Sequence, residues 1–179
     1  MKQKMYWNDG FYDTPVGGAI EISKEHYNQL LFGQSAGRMI VEDEKGFPIL
    51  VEYEPTIEEL RTQKIGELRV YDASDAVNQF SINGVSGWFN KSTRVGLMNS
   101  ISVEQASGRT EASIWLGDDL FVLSIDKAVD VLRQLELYAL TCYNVTQGHI
   151  NSINQLETKE AIKVYDFRTG YPGKLNFAG

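Results

Sequence analysis

Cysteine, histidine and proline are scarce in this chain, whose 179 residues include one Cys, two His and four Pro. The single Cys142 excludes an intrachain disulfide framework and any cysteine-based zinc site. It lies in an apolar helical register, which reads as a buried thiol compatible with a reducing cytoplasm. A zinc centre needs three or four ligands, and His26 and His149 stand in no HExxH or Cys/His cluster. No apolar run approaches the ~20 residues of a membrane helix. The N-terminal MKQKMYWNDG lacks the apolar core and cleavage site of a secretory signal. The sequons at Asn90 and Asn144 are accordingly read as chance. The chain also lacks a basic stripe, which argues against nucleic-acid binding.

Apolar residues make up 42% and charged residues 23%, an ordinary globular composition for one domain or two small ones. The net charge of −7 is uneven, since residues 1–60 hold 11 acidic and 5 basic residues. That acidic third reads first as solvated turns and loops, and second as a surface steering toward a basic partner.

The N-terminal third reads as strand pieces around Asn8-Asp9-Gly10, the breakers Thr14-Pro15 and Gly17-Gly18, and a short extended lead-in. A helix capped by Ser23 follows, with Glu25 in its first turn and Gly33 or Gly37 at its end. Met39-Ile40-Val41 and Ile49-Leu50-Val51 then flank an acidic turn, predicting a hairpin over 38–54, with Pro48 placing it at a sheet edge. Pro55 closes this module, and Thr56 and Glu59 form a capping box that starts the next helix, reaching about Ala73. The expected organisation is a module over 1–55 and a second domain over 56–179.

In the second domain, Asn83-Gly84 between apolar runs is a type I′ hairpin signal. A helix follows from about Lys91 to Ala106, with Asn90 or Ser92 as its cap and Gly108 as its stop. Ala112, Ile114 and Leu116 then alternate into Gly117-Asp118-Asp119, a second hairpin. Ser124 caps the longest element, where Ile125, Val129, Leu132, Leu135, Ala139, Cys142, Val145, His149, Ile153 and Leu156 step by three and four over about 48 Å. Gly148 is the expected kink. A short helix from Thr158 to Tyr165 and an extended tail at 175–177 end the pattern. The predicted core is Phe80, Ile82, Trp88, Ile114, Trp115, Leu132 and Leu135. The fold class is α+β: a small N-terminal β/α module, then a hairpin-helix-hairpin domain with a long C-terminal amphipathic helix.

Constellations that could carry chemistry fail on spacing or position. Asp118 and Asp119 sit where a polar turn belongs, not where burial would raise a carboxylate pKa. Glu42, Asp43 and Glu44 lack the register of a calcium loop. Gly33-Gln-Ser-Ala-Gly37 follows a helix, whose negative end repels phosphate. His26 reads as exposed, and His149 as a satisfied, half-buried group on the apolar stripe. No catalytic residue, metal ligand or cofactor is expected. The aromatics at Tyr6, Trp7, Phe11 and Tyr12 read either as a small core or as interface anchors.

Three segments carry a resemblance: GFYD at 10–13, EISKEHYNQLLFGQSAG at 21–37 and IVEDEKGFPIL at 40–50. Together they resemble the N-terminal module of phage tail fibre assembly proteins. VNQFSINGVSGW, TRVGLMNSI, LELYALTCYNVT and YDFRTGYP are similar to a domain of unknown function found downstream of that module. The resemblance implies a non-enzymatic chaperone, cytoplasmic in the bacterial host, that binds a phage or prophage tail fibre and assists its folding and trimerisation. An alternative reading is a structural or adhesin component that stays on the fibre tip, in the virion tail. No nucleic acid or membrane partner is implied, and self-association into a homo-oligomer is left open. The expected partner-binding residues are Tyr6, Trp7, Phe11, Tyr12, Met39, Val41, Ile49 and Val51, the aromatics with the hairpin edge.

Overall fold

The computed structural model describes residues 4–178. The fold is α+β, with five helices and ten short strands among the described residues. The chain divides into two compact units, Met1–Pro55 and Thr56–Gly179.

In the first unit, strands β1 (Lys4–Trp7), β2 (Phe11–Tyr12) and β3 (Ile20–Ser23) form an antiparallel sheet in the order β2-β1-β3. Alternation decides its faces: Met5 and Trp7 are buried, while Lys4 and Glu21 pair in solvent at 3.0 Å. Helix α1 (Lys24–Ser35) starts where Ser23 Oγ accepts the His26 amide at 3.1 Å. Strands β4 (Arg38–Glu42) and β5 (Pro48–Glu52) form a separate two-stranded sheet. Its turn is built by Asp43, whose Oδ1 accepts the amides of Lys45 at 2.8 Å and Phe47 at 2.9 Å. The acidic turn is therefore a local hydrogen-bond device. Met5, Ile22 and Leu30 form the core, with Phe11, Ile20, Tyr27, Ile40, Phe47 and Leu50 packed around them.

Gly37, at φ 90°, takes the chain out of α1. Gly33 lies inside the helix instead. A Cβ there would meet Leu50 Cδ1 at 2.2 Å, so glycine is what lets the hairpin approach α1 so closely.

In the second unit, α2 (Ile57–Asp72) begins with a complete capping box. The Glu59 amide donates to Thr56 Oγ1 at 3.2 Å, and the Thr56 amide donates to Glu59 Oε2 at 2.7 Å. Strands β6 (Phe80–Ile82) and β7 (Val85–Gly87) turn through Asn83 and Gly84, at φ 49° and 86°, the left-handed values a type I′ turn requires. Helix α3 (Lys91–Ala106) is capped by Asn90, whose Oδ1 accepts the Thr93 amide. Strands β8 (Glu111–Leu116) and β9 (Asp119–Ser124) follow, then α4 (Ile125–Gln155), which runs unbroken through Gly148, and α5 (Lys159–Val164). The tail at Leu175–Phe177 forms a tenth strand, β10, paired parallel to β6.

The main core joins both hairpins, α3, β10 and the first three turns of α4. Phe80, Ile82, Ile114, Leu132 and Leu135 are fully buried there, and Trp88 packs against them half-buried. Trp115 is a correction to the expected core. It is 60% exposed, because Ala112, Ile114 and Leu116 occupy the inward phase of β8 and leave it on the outer face.

The buried stripe on α4 also differs from the expected one. Tyr138 and Thr146 are inside, where the sequence suggested their apolar neighbours Ala139 and Val145. Each is hidden because its hydroxyl is satisfied. Tyr138 donates to the Val77 carbonyl at 2.7 Å, and Thr146 donates to Asp72 Oδ1 at 2.7 Å beside the Tyr171 hydroxyl at 2.8 Å.

Two substitutions test this packing. Leu132→Ala should destabilise the second unit by about 2–5 kcal/mol, and Phe177→Ala by about 3–5 kcal/mol, measured by denaturant unfolding. A loss near zero at Phe177 would mean that β10 does not contribute to the fold. In the first unit, Gly33→Ala gains about 1 kcal/mol of helix propensity. It also overpacks Leu50, at a cost of about 1–3 kcal/mol, so the melting temperature should fall.

Candidate functional site

The register of β4–β5 pairs Met39 with Val51 and Val41 with Ile49. In an antiparallel hairpin such pairs alternate between faces. Ile40 and Leu50 take the inner face and pack on the core, so Met39, Val41, Ile49 and Val51 share the opposite face. Met39 is 46% exposed and Ile49 37%, while Val41 and Val51 are half-buried. Four apolar side chains thus lie together outside the unit's own core. No third strand pairs with β4 or β5 among the described residues, so both lateral edges keep unpaired ladder groups.

The aromatic quartet divides. Tyr6 and Tyr12 are cross-strand partners on the outer face of the first sheet, with Tyr12 exposed and Tyr6 half-buried. Trp7 and Phe11 are partners on the inner face. Trp7 is only 8% exposed, and its indole Nε1 donates to Glu42 Oε1 at 2.7 Å. Phe11 bridges Trp7 and Tyr27 edge-to-face, with centroids 4.9 and 4.7 Å apart. The expectation that Trp7 and Phe11 face a partner is therefore corrected: four aromatics are too many for one face of so short a sheet, and alternation sends two of them inward. Their contacts tie the first sheet to α1 and β4.

His26 is half-buried, contrary to the exposed position expected. Its ring stacks on Phe47 at 4.9 Å, and Nε2 donates to the Pro48 carbonyl at 2.8 Å. That bond fastens α1 to the start of β5, where proline offers no donor of its own.

In the second unit, Asp118 and Asp119 are exposed at the tip of β8–β9. His149 is half-buried between the Tyr165 hydroxyl at 2.8 Å and the Thr169 carbonyl at 2.9 Å. A carbonyl can only accept, so Nε2 carries the proton there, and a neutral ring accepts from Tyr165 at Nδ1. Cys142 is buried beside Tyr138 and Val77. No group of three or more metal-ligating side chains converges among the described residues. Outer faces missed from the sequence are Trp115, Leu120 and Val122 on β8–β9 and Phe32, 76% exposed, on α1. For Trp115 the signal was present in the alternation of its neighbours.

No protein-family profile, curated protein or solved structure matches the chain.

Burial pushes the Cys142 thiol above its ordinary value of 9.0, and pushes the Tyr138 and Tyr171 hydroxyls up as well. A group with a raised folded pKa stabilises fully below its unfolded pKa and loses that contribution above it. Stability of the second unit should therefore decline as pH rises beyond about 9, with Cys142→Ala and Tyr171→Phe each flattening the alkaline slope in chemical denaturation. Native Cys142 should also resist thiol reagents at neutral pH, and rapid labelling of folded protein would refute its burial.

Proposed function

We propose that this chain is a non-enzymatic assembly chaperone for a phage or prophage tail fibre, acting in the cytoplasm of the bacterial host. The observation that supports the reading best is the outward face of β4–β5, with Met39, Val41, Ile49 and Val51 collected outside the core between two open strand edges. Fibre chains are elongated, β-rich and intertwined, so their pairing is non-local, slow and prone to aggregation. A protector for such a chain must offer apolar contact and strand-edge hydrogen bonds, and must release both once the trimer closes. A short hairpin with half-exposed aliphatic side chains meets this need, because each contact is weak enough to reverse. Tyr12 and Tyr6 add amphipathic anchors on the neighbouring sheet of the same unit.

The motif residues of the resemblance fall on the parts that build this face. Gly33 allows the hairpin to dock on α1, Asp43 and Gly46 make its turn, and His26 holds its second strand. A fibre-tip adhesin has no separate observation in its favour.

The test is co-expression with a cognate fibre, comparing wild type with Met39→Ser/Ile49→Ser. Both side chains are outside the core, so the variant's melting temperature should match wild type. The yield of soluble fibre trimer should fall about tenfold, the equivalent of ~1.4 kcal/mol of binding. An unchanged yield from a folded variant would remove the hairpin face from the mechanism.

A further inference from the structure

Helices α3 and α4 of the second unit border a cavity of about 330 Å³, lined by Lys91, Arg94, Glu136, Ala139, Leu140 and Tyr143. Its charge is fixed by a buried arginine. The Arg94 side chain is only 7% exposed, and its Nε donates to Glu136 Oε2 at 2.7 Å. Nη1 donates to the Phe89 carbonyl at 2.6 Å, and the guanidinium lies 5.4 Å from the centre of the Trp88 ring. These contacts set the guanidinium plane and leave part of its donor capacity unused. Nη2 bonds to none of the described residues. It retains access to solvent, because Arg61 Nε is the one sealed side-chain atom without a partner among them.

Lys91 adds a second cation at the cavity, exposed and in no ion pair among the described residues. Glu136 is the one lining carboxylate, so the lining carries a formal charge of +1. The opposite wall is apolar, with Leu140 and Tyr143 both more than half exposed. A guanidinium with free N–H donor capacity, an exposed ammonium and an apolar wall together describe a receptor for a monoanion on an apolar carrier. A dianion would overcompensate the single positive charge beside Glu136.

We propose that this cavity binds a peptide carboxylate attached to an apolar residue. The carboxylate accepts from Arg94 and Lys91, and the apolar side chain rests on Leu140 and Tyr143. The site belongs to the second unit alone and stands independently of the hairpin face.

The test is a titration of the ¹⁵N-labelled full chain followed by NMR. N-acetyl-leucine models a C-terminal carboxylate, and acetyl-leucyl-aspartyl amide models an acidic side chain. Either should shift the Arg94 Nε–H and the backbone amides of 91–94 and 139–143 saturably, with Kd on the order of millimolar for so small a probe. The tighter of the two identifies the source of the carboxylate. N-acetyl-leucinamide, which lacks the charge, should bind at least about tenfold more weakly. Lys91→Ala and Tyr143→Ala, both at exposed positions, should each weaken binding by about threefold or more while the remaining spectrum stays folded. The proposal is overturned by an absence of saturation with both acids, by an equal response to the amide, by inorganic phosphate binding as tightly, or by full affinity in Lys91→Ala.

Discussion

Burial of one stripe along α4 is the constraint on which the second unit depends. Ile125, Ala128, Val131, Leu132 and Leu135 close the core shared with both hairpins and α3. Further along, Tyr138 and Cys142 meet Val77, and Ile153 meets Leu68 and Phe167. A short hairpin is at best marginal alone in water, and most of a helix's stability in a protein comes from packing of its apolar face. The hairpins and α3 are stabilised by packing on its first three turns, and α2 and the C-terminal segment by packing further along. The polar interruptions on the stripe are tolerated because every one is matched: Thr146 by Asp72 and Tyr171, Tyr138 by the Val77 carbonyl. An unmatched hydroxyl at either place would cost about 1–3 kcal/mol.

The first unit solves a harder problem with fewer residues. About 50 residues cannot bury much, and the core cluster of this unit holds only three buried side chains, Met5, Ile22 and Leu30. Specific polar and aromatic contacts make up the difference. The Trp7 indole reaches Glu42, the His26 ring reaches the Pro48 carbonyl, and Phe11 bridges two other rings. The Trp7–Glu42, His26–Pro48 and Phe11–Tyr27 contacts each join elements far apart in sequence. The hairpin's inner face is consumed by this work, which is why its outer face remains apolar and open.

Local signals in the sequence were the most legible. Ser23, Thr56, Asn90, Ser124 and Thr158 all cap helices, and Asn83-Gly84 makes the turn expected of it, because caps and turns depend on a few adjacent residues. The hairpin half of the candidate surface was legible for the same reason, since period-two alternation places Met39, Val41, Ile49 and Val51 on one side. What was not legible required knowing partners distant in the chain. Trp7 and Phe11 could be assigned inward only once β1 was known to pair with both β2 and β3. Gly33 reads as a helix stop until Leu50 is seen against it. Thr146 looks like a surface residue until Asp72 and Tyr171 are brought to it. Arg94 gives no sequence sign of its burial, because its partners Glu136 and Phe89 lie on other elements.

The parallel pairing of β10 with β6 has a consequence for the order of folding. The two β-hairpins and four helices of the second unit form between near neighbours in sequence, but the Ser81–Asn176 contact across β6 and β10 spans 95 residues. Loop-closure entropy makes such a contact late, along with the docking of α2 on α4 and α5, where Arg61 and Lys64 reach the carbonyls of Leu156 and Lys163 across 95 and 99 residues. Until then β6 has one unpaired edge, next to Phe80 and Ile82, two of the most apolar positions in the chain. The interval before closure is therefore the period in which this unit is most exposed to aggregation, and the speed of the final strand's arrival sets how long that exposure lasts.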